Sequence, residues 1–293
     1  MPNAQGFDYF FGALGANDPG TIKFHLNNEA AGTSKDMGGL TTLYTDKSID
    51  FLKNKRDPKK PFVLYLAHTM MHTIIDASNR FRGKSKGGLY GDVVEEFDYE
   101  TGRLLDVLDE LKLSDNTLVL YTSDNGPWNQ DKYTKNKKGH PEGSIFWGDA
   151  GRLRNGKGSP YEGGYRLPCL ARWPGKIPAG RKSDAIDFMP TFANLCGFKV
   201  PDDRKIDGVD QTNLLLGKSE KGRETFYFDR AGIRKGKWKY LKADAHFYGY
   251  AREDSRPKEE ELYNLEKDLE EKNNLAKKHP KILAELRKLT ESM

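Results

Sequence analysis

Residues 61–72 read PFVLYLAHTMMH, and residues 90–128 read YGDVVEEFDYETGRLLDVLDELKLSDNTLVLYTSDNGPW. The first stretch follows the breaker Asp57-Pro-Lys-Lys-Pro61 and opens with Phe62–Ala67, a continuous apolar run like those of buried parallel strands. In the second, Val93, Phe97, Leu104, Leu108 and Leu111 recur at helical spacing, and Val94 and Leu105 widen the stripe. That spacing predicts an amphipathic helix over Tyr90–Leu111. Ser114-Asp-Asn-Thr117 breaks the pattern, and Leu118–Tyr121 predicts a second buried strand. Strand, long helix, short loop and strand make a βαβ crossover, which implies a parallel sheet with helices on its faces. The expected class is α/β.

Further along, Tyr165–Trp173 predicts a third strand, ended by Pro174-Gly175. Asp187 suits a helix N-cap, with Pro190 in the first turn, Phe192 and Leu195 inward, and Gly197 as the stop. After Gly217 the pattern changes. Phe226–Phe228 and Trp238–Leu241 alternate like short antiparallel strands, and Pro280–Leu289 predicts a closing helix with Ile282, Leu283, Leu286 and Leu289 on one face.

The 293 residues suffice for one large domain or two ordinary ones. The longest apolar run, Phe62–Ala67, falls far short of the roughly 18 residues a membrane span needs, so no membrane span is expected. Aromatic residues make up 11% of the chain, which argues against disorder. Cys169 and Cys196 form neither a disulfide scaffold nor a CxxC pair. Charge is uneven: residues 132–182 hold twelve Lys and Arg against Glu142, Asp149 and Glu162. That segment carries +9 within a chain of +5, which leaves the remainder at −4. A basic segment on a slightly acidic body suits an anionic ligand, although Lys135–Lys138 also reads as a solvated loop. No binding motif accompanies the charge, so nucleic acid is not an expected partner.

In open parallel sheets, ligands bind beyond the carboxyl ends of strands. Two chemically capable clusters fall there: His68 to His72, and Asp124-Asn125-Gly126. Asp124 and Asn125 supply the hard oxygens that calcium or magnesium takes, and Asx-Gly pairs are equally ordinary turn formers. His72 carries an imidazole suited to general acid work, and a lone histidine can equally be structural. Gly156-Lys157-Gly158 sets an ammonium between two flexible residues, as surface turns also do.

Taken in order, these blocks resemble the type I, formylglycine-dependent sulfatases. The likeness runs through PFVLYLAHTMMH, the 90–128 stretch, GDAGRLRNGKGSPYEGGYRLPCLARWPGKIPAG (148–180), SDAIDFMPTFANLCG (183–197) and DGVDQTNLLLGK (207–218). It continues through IRKGKWKYL (233–241) and ELYNLEKDLEEKNNLAKKHP (261–280), and QGFDYFFG (5–12) resembles the segment after the family's Gly-Lys-Trp-His-Leu-Gly motif. The resemblance implies an alkaline-phosphatase-like sandwich with a mostly parallel central sheet, plus a small C-terminal α+β subdomain with an antiparallel sheet. It divides the chain into 1–218, part of the catalytic domain, and 219–293, the C-terminal subdomain. Asp124 and Asn125 match two calcium ligands. Lys157 matches the lysine that contacts sulfate and bridges toward the nucleophile. His72 matches the histidine near the leaving-group oxygen, a sulfate contact and general acid. His140, within Asn129–Trp147, falls where the pocket mouth sets substrate preference. The implied partner is a sulfated small molecule or sulfated glycan, and the implied location is periplasmic or secreted.

The sequence departs from the family at one end. The Cys/Ser-x-Pro-Ser-Arg motif whose first residue becomes formylglycine is absent, and neither Cys169 nor Cys196 replaces it. The two aspartates that complete the calcium site have no equivalent before residue 72. The expectation is a sulfatase lacking roughly its first third, inactive or nearly so alone, with Met1 internal to a longer protein. Two alternatives stand beside it: a phosphoric or phosphonic ester hydrolase of the same superfamily, and a non-catalytic polyanion-binding remnant.

Overall fold

The structure is a computed structural model that describes residues 1–128, 142, 148–178, 187–245 and 255–291. The chain divides into two compact units, Met1–Ser114 with Asp131–Trp147, and Asp115–Gln130 with Gly148–Met293.

The first unit begins with an antiparallel meander of β1 (Phe11–Ala13), β2 (Ile22–Leu26) and β3 (Glu29–Ser34). A two-residue turn at Asn27-Asn28 joins β2 to β3, with Asn27 in the left-handed region that Asn tolerates. Helix α1 (Leu40–Asp50) and the long helix α2 (Gly88–Glu110) complete the unit. Phe11 stacks on Phe24 with ring centroids 5.4 Å apart, and Tyr44 of α1 meets both rings edge-on. Ile22, Met37, Leu40, Ile75 and Val93 fill the core around them.

Helix α2 forms where the apolar period predicts it, yet acids occupy part of its buried side. Asp92, Glu96 and Glu100 are all buried, and Val94 of the predicted stripe is exposed. Each acid has partners. Glu96 accepts from the Ser78 amide at 2.8 Å and from the Thr42 hydroxyl, which also reaches Glu100. Arg103 pairs with Glu100 at 2.6 Å. Asp92 gathers the amides of Gly83, Lys84 and Ser85 at 2.7, 3.1 and 2.7 Å, and so pins the loop that leads into the helix.

Phe62–Ala67 departs from expectation. It forms no ladder among the described residues; instead its side chains alternate, with Val63 and Tyr65 nearly four-fifths exposed and Phe62, Leu64 and Leu66 half-buried. Apolarity marks a segment that favours burial, whereas a strand also needs a neighbour for its amides and carbonyls.

In the second unit, β4 (Val119–Thr122) forms as predicted, but its partner is antiparallel. It pairs with β5 (Cys169–Arg172), Val119 opposite Arg172 and Thr122 opposite Cys169. Two short helices follow, α3 (Glu162–Tyr165) and, after β5, α4 (Phe188–Leu195). Asp187 stands at the N-cap of α4 without capping it. Its buried carboxylate accepts from the Val209 amide and the Gln211 side chain at 2.8 and 2.9 Å and pairs with Arg223, and a cation outcompetes a neutral cap. Phe192, expected inward, is 40% exposed.

After α5 (Thr212–Leu215), the strands β6 (Thr225–Tyr227), β7 (Gly232–Lys235), β8 (Trp238–Leu241) and β9 (Glu261–Asn264) build one antiparallel sheet in sequence order. Helix α6 (Pro280–Glu291) packs Leu286 and Ile282 against Ile233, Tyr240 and Leu262. This matches the predicted antiparallel strands and closing helix. No helix among the described residues is long and apolar enough to cross a membrane.

The Asp92 site yields a pH prediction. Burial pushes its carboxyl up, but the Ser85, Gly83 and Lys84 donors outweigh burial and hold it below the ordinary 3.8. A depressed carboxyl stabilises the fold above its unfolded value, and that contribution disappears as pH falls through the lower, folded value. Asp92→Asn is therefore expected to lower stability at pH 7 by about 1–3 kcal/mol. It should also flatten the decline in urea midpoint below pH 4 relative to the parent chain.

Candidate functional site

Strand β4 delivers its chain into Ser123-Asp124-Asn125-Gly126, where local hydrogen bonds fold the backbone back. The Asn125 amide donates to Asp124 Oδ1 at 2.9 Å, and the Asn125 side-chain nitrogen donates to the Gly126 carbonyl at 2.9 Å. That commitment of the nitrogen leaves the Asn125 amide oxygen as the face suited to a cation. Asp124 is exposed and Asn125 half-buried.

The Lys157 turn is sewn to this one through backbone alone. The Lys157 N–H donates to the Pro127 carbonyl at 2.7 Å, and the Gly126 N–H donates to the Gly164 carbonyl at 3.0 Å. These contacts require glycine. A Cβ on Gly126 would lie 1.7 Å from the Gly163 carbonyl oxygen, and one on Gly163 would lie 2.1 Å from that of Asn155. One on Gly164 would lie 2.4 Å from the Ser159 oxygen. Three side-chain-free residues thus let the strands of backbone carrying Asp124, Asn125 and Lys157 touch. Sequence reading passed over Gly163 and Gly164; the pair directly after Glu162 was the available signal.

A polar network clamps 154–164 to the C-terminal sheet of the same unit. The Arg154 guanidinium stacks 3.7 Å over the Tyr161 ring and donates to the Tyr263 hydroxyl at 3.0 Å and the Glu271 carbonyl at 2.9 Å. Tyr161 donates to Glu261 at 2.9 Å. Lys239 of β8 is fully buried, with Nζ 2.9 Å from Glu162 and 2.9 Å from Glu271. Burial alone would raise the Glu162 carboxyl; Lys239, Arg234 and Arg166 outweigh burial and hold it below the usual range. Burial dominates at Glu271, whose carboxyl is pushed up.

His72 belongs to the first unit, at the end of the loop after Phe62–Ala67. Its Nδ1 lies 2.6 Å from the Thr73 carbonyl and 3.7 Å from Asp18. A carbonyl only accepts, so Nδ1 carries the proton and Nε2 is the ring nitrogen available for chemistry. Asn17, fully buried, holds the loop by donating to the carbonyls of Thr69, His72 and Ile74 at 3.3 to 3.5 Å. His68 plays a different part. It packs edge-on against Phe97 at 4.5 Å, and burial pushes its pKa down to about 4, so at neutral pH it is an uncharged ring of the core. His140 lies outside the described residues.

The structure therefore joins Asp124, Asn125 and Lys157 within one unit and positions His72 in the other. Among the described residues, no three histidine, cysteine or carboxylate side chains gather into a metal cluster. Calcium takes six to eight oxygens, so Asp124 and Asn125 fit it in donor chemistry and supply only part of its shell.

Known proteins resemble this chain in sequence and fold. The family model described as Sulfatase matches residues 1–198, and the one described as N-sulphoglucosamine sulphohydrolase, C-terminal, matches residues 156–293. The chain is 35% identical over 277 residues to an N-acetylgalactosamine-6-O-sulfatase of Bacteroides thetaiotaomicron, covering 87% of this chain and 53% of the relative. It is 40% identical over 193 residues to human steryl-sulfatase, covering 64% of this chain and 32% of that protein. The chain thus spans about half the length of the first relative and about a third of the second. A solved structure from a description of glycosaminoglycan metabolism in B. thetaiotaomicron aligns with a TM-score of 0.83 at 28% identity, over 100% of this chain and 74% of that one. The fold is the alkaline-phosphatase-like α/β architecture of such proteins.

Two glycine replacements separate close contact from mere helix propensity. Gly126→Ala forces Cβ into a carbonyl and is expected to destabilise the chain by roughly 3 kcal/mol or more. Gly102→Ala, in α2 with open space around its Cβ, is expected to stabilise by about 0.5–1 kcal/mol. Urea unfolding of both variants checks the pair.

Proposed function

We propose that this chain, which belongs to the sulfatase family, carries the sulfate-binding and part of the calcium-binding groups of a sulfuric ester hydrolase. The observation that carries the reading is the backbone stitching of Asp124 and Asn125 to Lys157. It sets a carboxylate, an amide oxygen and an ammonium on adjoining turns, which are the groups an anionic ester and its counter-cation need.

In this reading Lys157 binds the sulfate and neutralises charge that a sulfate monoester brings with it. Asp124 and Asn125 contribute two oxygens to calcium, which when bound supplies further positive charge against the sulfate oxygens. His72, with its Nδ1 proton committed to Thr73, acts as proton donor from Nε2 in its doubly protonated imidazolium form, giving that proton to the leaving alkoxide and returning to the neutral Nδ1–H ring. By resemblance alone, His140 is assigned to substrate preference. Neither Cys169 nor Cys196 stands in a formylglycine motif, and we assign the nucleophile to a segment outside these residues. A sulfated glycan is the substrate class that the N-acetylgalactosamine-6-O-sulfatase relative suggests. The proposed division is a catalytic portion over 1–218 and a C-terminal subdomain over 219–293, in a periplasmic or secreted enzyme.

Calorimetry with inorganic sulfate tests the reading. Lys157→Ala should weaken sulfate affinity by at least about tenfold, the loss of one charge-assisted contact. Asp124→Ala should remove any gain in sulfate affinity that added calcium produces. The chain alone should leave 4-nitrophenyl sulfate unhydrolysed above background. Unchanged sulfate affinity in Lys157→Ala would refute the assignment.

A further inference from the structure

Lys239 is a buried cation that the chemistry above does not use. It sits on β8 with no exposed surface, and its ammonium finds a partner on three sides: Glu162 at 2.9 Å, Glu271 at 2.9 Å, and the Phe228 ring at 4.1 Å. Its two carboxylate partners are themselves joined, because the Glu162 N–H donates to Glu271 Oε2 at 2.7 Å. A lysine placed in this way fixes Glu162 in direction as well as in distance, which apolar packing does not do.

Glu162 is the first residue of the turn that carries Gly163 and Gly164. From there every link is a backbone contact. The Gly163 N–H donates to the Arg154 carbonyl at 2.9 Å, the Gly164 carbonyl accepts from Gly126 at 3.0 Å, and the Lys157 N–H donates to Pro127 at 2.7 Å. No slack exists at these crossings, since a single added methyl group at Gly126, Gly163 or Gly164 would overlap a carbonyl. A shift of Glu162 therefore moves the backbone of both turns.

We propose that Lys239 is a positioning residue for the sulfate site: from the C-terminal sheet it fixes Glu162, and through Glu162 the glycine turn that sets Lys157 and Asp124. The proposal rests on reading Lys157 as the sulfate contact. It makes the C-terminal sheet a working part of the site, through one side chain that never meets the substrate.

Two variants of the full chain test it. Lys239→Met combined with Glu162→Gln and Glu271→Gln leaves no buried charge unpaired, and such replacements commonly keep the fold. Glu162→Gln alone keeps the side chain's shape and removes the charge that pairs with Lys239 at 2.9 Å and with Arg166 at 3.7 Å. In both, hydrogen exchange at the Gly126 and Lys157 amides should quicken at least about tenfold more than at the β7 and β8 amides, which report any general loss of stability. Affinity for inorganic sulfate should fall by a similar factor. Unchanged exchange at Gly126 and Lys157 in folded Glu162→Gln overturns the proposal, whether or not the triple variant folds. If Lys157→Ala itself leaves sulfate affinity unchanged, the sulfate assignment fails separately, and the exchange measurement still decides the role of Lys239.

Discussion

A lysine with no access to water, held between two glutamates, is the interaction on which the second unit turns. Burying a lysine and two carboxyl groups together is costly, and the arrangement is tolerable only because each has a partner at hydrogen-bond distance. Arg154 and Arg166 add positive charge nearby, the latter 3.7 Å from Glu162. Removing one member strands a charge, which typically costs about 3–5 kcal/mol. The same cluster ties segments more than a hundred residues apart, since Glu162, Lys239 and Glu271 come from a turn, a strand and a loop. The turn that bears Gly163 and Gly164 inherits its place from that tie.

Where one periodic face meets one core, the sequence was legible. Helix α2 runs Gly88–Glu110 against an expected Tyr90–Leu111, and α6 begins at Pro280 as its spacing indicates. The antiparallel strands near Phe226 and Trp238 follow from alternation. Less legible was anything decided by a distant partner. Phe62–Ala67 reads as a strand because it is apolar, yet its pairing depends on a neighbour that no local pattern encodes. β4 declared its own existence and not the antiparallel sense of its ladder. The meander of 11–34 left little trace because β3, Glu-Ala-Ala-Gly-Thr-Ser, is almost entirely exposed. Buried acids on α2 run against the hydropathy rule, and their distant partners explain them: Thr42, Ser78 and Arg103 for Glu96 and Glu100, and the 83–85 amides for Asp92.

The candidate site divides along the same line. Residue types marked Asp124, Asn125, Lys157 and His72 as candidates, each equally open to a turn or structural reading, and the resemblance of the ordered blocks to the sulfatases supplied the roles proposed for them. What holds them was hidden. Asn17 gives its amide to three carbonyls of the His72 loop, and nothing in Gly15-Ala-Asn-Asp-Pro19 announces it. His68, two turns of sequence logic away from His72, proved to be an aromatic core residue whose ring burial has removed from proton chemistry at neutral pH. Two histidines four residues apart thus have opposite environments, and only packing tells them apart.

The three glycine crossings at Gly126, Gly163 and Gly164 bear on how genetic variation in this chain is to be interpreted. None of these residues has a side chain, so none can bind, donate or attack. Any replacement nonetheless pushes one backbone segment off another at the spot where the charged groups are displayed. In a screen for sulfate binding, the role proposed for Lys157, such alleles would score with those of Lys157, and a map of sensitive positions would enlarge the apparent binding centre with residues that only permit close approach. Abundance measured alongside binding sorts the two kinds, because alleles at the crossings lose both together.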